Sequence, residues 1–169
     1  MEEFAECSCS ECKDLCQNNP GWFVPAEARR AIEAGYAKSL MRDWLDPCKE
    51  VGNTEVIYLL APASKGYEGR DAPTTEEMMG EDAGGDLAFM FLFMFSGNFT
   101  KGPCVMQDEQ GLCKLHETDS KPLQCRGVLG CDHSHNGDKY TNYEIAKTWD
   151  TNEGREVLEL WQQSLAAEQ

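Results

Sequence analysis

The chain is 169 residues long, enough for one domain with a single core, and at 41% apolar and 27% charged it is too hydrophobic for a disordered segment. Fifteen Lys and Arg face thirty Asp and Glu, and the net charge of −15 repels phosphate backbones and anionic lipid surfaces. Arg29-Arg30 is the only basic dipeptide and Glu33 follows it closely, which fits a solvated helix face and argues against nucleic-acid or membrane binding.

The opening segment through Glu6 has neither the basic nor the apolar region of a secretory signal, so a cytoplasmic location is expected. Cys7, Cys9, Cys12 and Cys16 come next, on a loop or short helix closed by the turn signal Asn18-Asn19-Pro20-Gly21. Residues 25–35 read as a helix, with Pro25 in the first turn, Glu27 favouring the helix dipole and Gly35 suited to the left-handed position after the last turn. A second helix is expected over residues 37–44, broken by Asp46-Pro47, and residues 55–60 read as a buried strand.

Residues 62–86, rich in Pro, Gly, Thr and acidic side chains, form a long surface excursion with a short helix over 75–79. The apolar run at residues 87–95 is a buried strand or short core helix, far below the roughly 20 residues a membrane-spanning helix needs. Asp108-Glu109-Gln110-Gly111 supplies a turn that would set Cys104 and Cys113 side by side. From Thr151 onward, Val157, Leu158, Trp161 and Leu165 make a helical stripe, with Thr151 and Asn152 as N-cap candidates.

Nine cysteines need an explanation, because a reducing compartment disfavours structural disulfides and an odd number cannot pair completely. Cys48 reads as a small buried hydrophobe. Cys9, Cys12 and Cys16, at spacings of three and four, can point toward one centre, and Cys104, Cys113, His116 and Cys125 offer a second set of ligands. Cys7 and Cys131 lie beside these clusters but outside the motif. The loop Asp132-His133-Ser134-His135 reads as a polar surface loop with incidental metal affinity.

Soft thiolates select zinc, iron–sulfur or cuprous copper over magnesium and calcium. Zinc takes four ligands and a cubane cluster takes four thiolates, so six thiols leave open a two-metal site, a redox pair, or a mixture of ligands and core cysteines. Arg126 can hydrogen-bond a thiolate or form a salt bridge. Lys65, Tyr67 and Arg70, on a loop flexed by glycines, can contact a small anionic substrate. No nucleophile elbow, zincin helix, Walker loop or dinucleotide turn is present.

These motifs resemble the YkgJ-like cysteine-cluster family of zinc- or iron-chelating proteins. The likeness rests on Cys9-x-x-Cys12-x-x-x-Cys16 with the segment 20–27, and on Cys104, Gly111, Cys113 and Pro122-Leu-Gln-Cys125-Arg126. The chain departs from the common pattern in lacking an adjacent Cys-Cys pair and in carrying Lys121 where Arg often precedes Pro. The resemblance implies metal binding without specifying a reaction, and a related cluster occurs in flagellin lysine N-methylases.

The expectation is a small α+β domain, residues 1–169, with few short strands, several helices and long loops around a Cys-rich metal site. Its cofactor would be zinc or an iron–sulfur cluster, and its function metal binding. The alternative is a metal- or iron–sulfur-dependent enzyme using the same centre, with a small anionic substrate. A weaker third reading makes Trp22, Phe23 and Trp44 an exposed apolar patch for a protein partner.

Overall fold

The computed structural model describes residues 9–18, 20–45, 55–73, 103–115, 118, 120–127 and 142–168. The first helix, α1 (Ser10–Asn18), realises the helical form of the first cysteine cluster. Helix α2 (Pro25–Ala31) starts with Pro25, and its buried Glu27 accepts a hydrogen bond from the Val24 N–H at 3.3 Å, satisfying one of the amides a helix start leaves open. Gly35, at φ +88°, then breaks the helical run inside the turn Ile32–Tyr36, a backbone conformation that side chains with a Cβ resist.

After a single 3₁₀ turn, Ala37–Ser39, the chain becomes the strand β1 (Leu40–Leu45). This corrects the helix expected over residues 37–44. Leu40, Met41, Asp43 and Leu45 are buried while Arg42 and Trp44 keep partial exposure, which from Met41 on is the period of two that a strand imposes. Its partner β2 (Ile57–Pro62) runs antiparallel in a register from Leu40↔Pro62 to Leu45↔Ile57. The strand starts at Ile57 rather than Glu55, and burial sets in at Leu59, because Val56 and Tyr58 stay 40% and 47% exposed.

Residues 63–73 fold back over β1. The Gly69 N–H donates to the Leu40 carbonyl at 2.9 Å, the Arg42 N–H to the Arg70 carbonyl at 3.0 Å, and the Ala72 N–H to the Arg42 carbonyl at 2.8 Å. Arg42 adds a two-pronged contact to Asp71 at 2.9 and 2.6 Å while its guanidinium lies over the Tyr58 ring.

Three more helices follow: α3 (Leu123–Gly127), α4 (Asn142–Trp149) and α5 (Asn152–Ala167). The last is the helix read from the Val157-to-Leu165 stripe, and Thr151 caps it by accepting the Gly154 N–H at 3.1 Å. The core gathers Trp22 and Phe23 from the segment before α2, Leu40, Leu59 and Leu60 from the strands, Leu115, and Ile145, Trp149, Val157 and Trp161 from α4 and α5. The result is a small α+β fold with several helices and a two-stranded antiparallel sheet. Among the described residues no helix is long and apolar enough to cross a membrane. The apolar run 87–95 and the helix read over 75–79 lie outside the described residues.

Every tryptophan indole N–H has an acceptor, as burial of so large an amphipathic ring requires. Trp22 donates to Asp43 at 2.7 Å, Trp44 to the Pro73 carbonyl at 3.2 Å, Trp149 to the Phe23 carbonyl at 2.7 Å and Trp161 to the Ala37 carbonyl at 2.9 Å. The exposed patch expected of Trp22, Phe23 and Trp44 is therefore not formed: the first two are fully buried and the third is half-buried. Their apolar area stabilises this core instead.

Candidate metal centre

Three segments far apart in the chain meet around the cysteines. Cys12 and Cys16 lie four apart on one face of α1, and Cys9 directly precedes the helix, its carbonyl accepting the Lys13 N–H at 3.0 Å. Residues 103–115 form a hairpin turned by Asp108, whose carboxylate accepts the Gln110 and Leu112 N–H groups at 2.8 Å, and by Gly111 at φ +79°. This bears out the turn read from sequence, with one refinement. Cys113 pairs across the hairpin with Gln107, while Cys104 pairs with Ser64 at the end of β2.

The hairpin is tied directly to α1. The Cys104 N–H donates to the Gln17 carbonyl at 2.9 Å, the Gln107 amide to the Lys13 carbonyl at 3.1 Å, and the Lys13 ammonium to the Gln110 carbonyl at 2.9 Å. The first two bonds end on helix carbonyls and the third on a hairpin carbonyl, and together they bring Cys16 to the base of the hairpin.

Cys125 arrives on α3. The Leu123 N–H at the start of that helix donates to Glu27 at 2.9 Å, and Arg126 forms an ion pair with the other oxygen of the same buried carboxylate. Glu27 thus caps two helices at once. The Trp22 N–H donates to the Gln124 side chain at 2.7 Å, and the Gly21 N–H donates to the Cys125 sulfur at 3.0 Å. A Cβ on Gly21 would lie 2.9 Å from both the nitrogen and the sulfur of Cys125, so only glycine lets the backbone come this close.

The electrostatics unite Cys16, Cys104, Cys113 and Cys125. Burial raises all four thiols, pushing Cys104 up to about 12 and Cys125 well above the usual thiol range. Ionisation of Cys125 is further opposed by Cys16, Cys104 and Cys113, that of Cys104 by Cys16 and Cys113, and that of Cys113 by Cys16, so every pair among the four is within reach of the other's charge. Against burial stand donors aimed at sulfur: the Met106 and Gln107 N–H groups at Cys104, Leu115 at Cys113 and Gly21 at Cys125. Lys121 adds a positive charge that favours the thiolates of Cys16 and Cys113.

Of the six cysteines singled out from sequence, these four are therefore joined. Cys12 is buried on α1 and Cys9, half-buried, supports the exposed Glu11 carboxylate. Among the described residues no group of three or more Cys, His, Asp and Glu side chains makes a ready-made ion shell. His116, Cys7, Cys48, Cys131, Asp132, His133 and His135 lie outside the described residues. Arg126 pairs with Glu27, one of the two roles read for it.

Lys65 and Arg70 are solvent-exposed, the Arg70 guanidinium donating to the Gly66 carbonyl at 3.3 Å, and Tyr67 packs half-buried against the core. The segment 20–27 and Lys121 already belonged to the motif read from sequence, but the approach of Gly21 to Cys125, the capping of α3 by Glu27 and the pairing of Ser64 with Cys104 were not read there. No family model, no curated protein and no solved structure matches the chain.

Proposed function

We propose that this chain holds a thiophilic metal centre, zinc or an iron–sulfur cluster, on the thiolates of Cys16, Cys104, Cys113 and Cys125, and that it is a member of the cysteine-cluster family its motifs resemble. One observation carries the reading. Backbone N–H groups converge on the sulfurs of Cys104, Cys113 and Cys125 although burial opposes charge on each of them. Such donors stabilise a thiolate far more than a thiol, and a bound cation supplies the remaining compensation that burial demands. Four small core hydrophobes would have no use for them.

Cys12, on the same face of α1 as Cys16, and Cys9, directly before that helix, supply further thiols for a second metal or for ligand exchange. A reducing compartment such as the cytosol keeps this set unpaired and available.

Anaerobic purification with elemental analysis and visible absorbance tests the proposal. Brown protein carrying iron and acid-labile sulfide assigns a cluster, and colourless protein with stoichiometric zinc assigns a single-ion site. Protein that retains neither, and takes up neither on reconstitution, refutes the centre.

A further inference from the structure

Ser64 follows β2, is fully buried, and among the described residues its hydroxyl has no hydrogen-bond partner. A buried hydroxyl in that position costs the fold its desolvation without return, so it needs an explanation. The backbone fixes where it stands. The Val105 N–H donates to the Ala63 carbonyl at 3.0 Å and the Lys65 N–H to the Pro103 carbonyl at 2.9 Å, and these two bonds bracket the antiparallel pair Ser64↔Cys104. That bracketing defines a pair whose own N–H groups are not exchanged, the kind in which Cα atoms come within about 4.5 Å and the two side chains share a face at closest approach.

The side chains of Ser64 and Cys104 therefore leave the pair on the same face. In the structure the Ser64 hydroxyl makes no hydrogen bond to the Cys104 sulfur; a thiolate accepts far more strongly than a thiol, so loss of the thiol proton to a metal would draw the hydroxyl onto the sulfur. The Met106 and Gln107 amides reach the Cys104 sulfur from its own hairpin, and Ser64 stands on the segment across from it.

We propose that Ser64 is a positioning residue of the thiolate centre, its hydroxyl donating a hydrogen bond to the Cys104 sulfur when metal replaces the thiol proton. This rests on the metal-binding reading above and adds to it a residue that no cysteine motif contains. Loading would supply an acceptor to a hydroxyl that has none among the described residues, so the serine favours the metal-bound state over the metal-free one.

Metal-free wild type, Ser64→Ala and Ser64→Thr are titrated anaerobically with Co²⁺, whose sulfur-to-metal charge-transfer band reports how tightly the thiolates hold their electrons. The alanine variant should bind Co²⁺ about 10-fold more weakly, the loss typical of removing a group that hydrogen-bonds a ligand. Its band should move to lower energy, because a thiolate without that hydrogen bond gives up charge more readily. Threonine, which keeps the hydroxyl, should restore both.

In the metal-free state the alanine variant should melt no lower than wild type, since it deletes an unsatisfied buried group. A packing role would lower the melting temperature with and without metal. An alanine variant with wild-type affinity and band, or one whose metal-free form melts below wild type, overturns the Ser64 assignment while leaving the centre intact. Wild type that takes up no Co²⁺ overturns the metal reading itself.

Discussion

Asp43 is fully buried in β1, where it accepts the Trp22 indole N–H at 2.7 Å and the Trp44 backbone N–H at 2.9 Å. Burial outweighs those two bonds and pushes its carboxyl from 3.8 up to about 6. A carboxyl raised on folding contributes stability that is complete below its unfolded value and is lost as pH climbs through about 6. Asp43→Asn cannot ionise, so between about pH 3.5 and pH 7 its stability should gain on wild type by on the order of 3 kcal/mol. Urea melts of both proteins at the two pH values measure this, and parallel changes in the pair would contradict it.

Gly21 is the other residue on which much turns. Gly21→Ala places a Cβ 2.9 Å from the Cys125 sulfur and must displace it or lose the N–H donor. Metal affinity, read by competition with a chromogenic chelator, should fall about 10- to 100-fold while far-UV circular dichroism stays native.

At the scale of elements, the corner between α4 and α5 depends on one glycine. A Cβ at Gly154 would sit 2.3 Å from the Trp149 carbonyl oxygen, where the end of one helix presses on the first turn of the next. Alanine gains about 1 kcal/mol of helix propensity there, but overpacking against rigid backbone exceeds it. Gly154→Ala should lose about 2 kcal/mol net in denaturant unfolding.

The elements also show what local chemistry can and cannot announce. The capped helix α5 and the Asp108–Gly111 turn were legible because a stripe, a cap and a turn act within a few residues. Strand β1 was not: Met41, Trp44 and Leu45 are spaced three and four apart as on one helix face, and pairing with β2 overrides that spacing. Helices α3 and α4 lack any cap signal strong enough to stand out from the surrounding chain, and packing selects them.

Across the whole molecule, the proposed centre would join α1, the 103–115 hairpin and α3 through one bound group. The unfolded chain cannot preorganise ligands from so many segments, so binding energy becomes folding energy. Metal at 1,000-fold above its dissociation constant would add about 4 kcal/mol, and a chain of this size should melt about 10 °C lower once metal is removed. Calorimetric scans before and after anaerobic chelation would reveal this, and identical scans would count against a structural role. Because burial keeps the four thiols protonated, loading near neutral pH should release about four protons and weaken steeply as pH falls. Titrations in buffers of different ionisation enthalpy would count them.

The amino-acid sequence by itself determined the donor chemistry: clustered thiols, an acidic background, a turn between Cys104 and Cys113, and no marker of hydrolase or nucleotide chemistry. Residue type and short spacing are enough for that, since ligand softness belongs to the side chain. Only the tertiary structure decided which thiols share an environment. Cys16 and Cys125 are joined through the Gly21 and Trp22 contacts with α3, and Cys104 is held between Gln17 and Ser64, all of them bonds across long stretches of chain that no local pattern encodes. Burial, a property of the packed molecule, then raised the pKa of all four thiols.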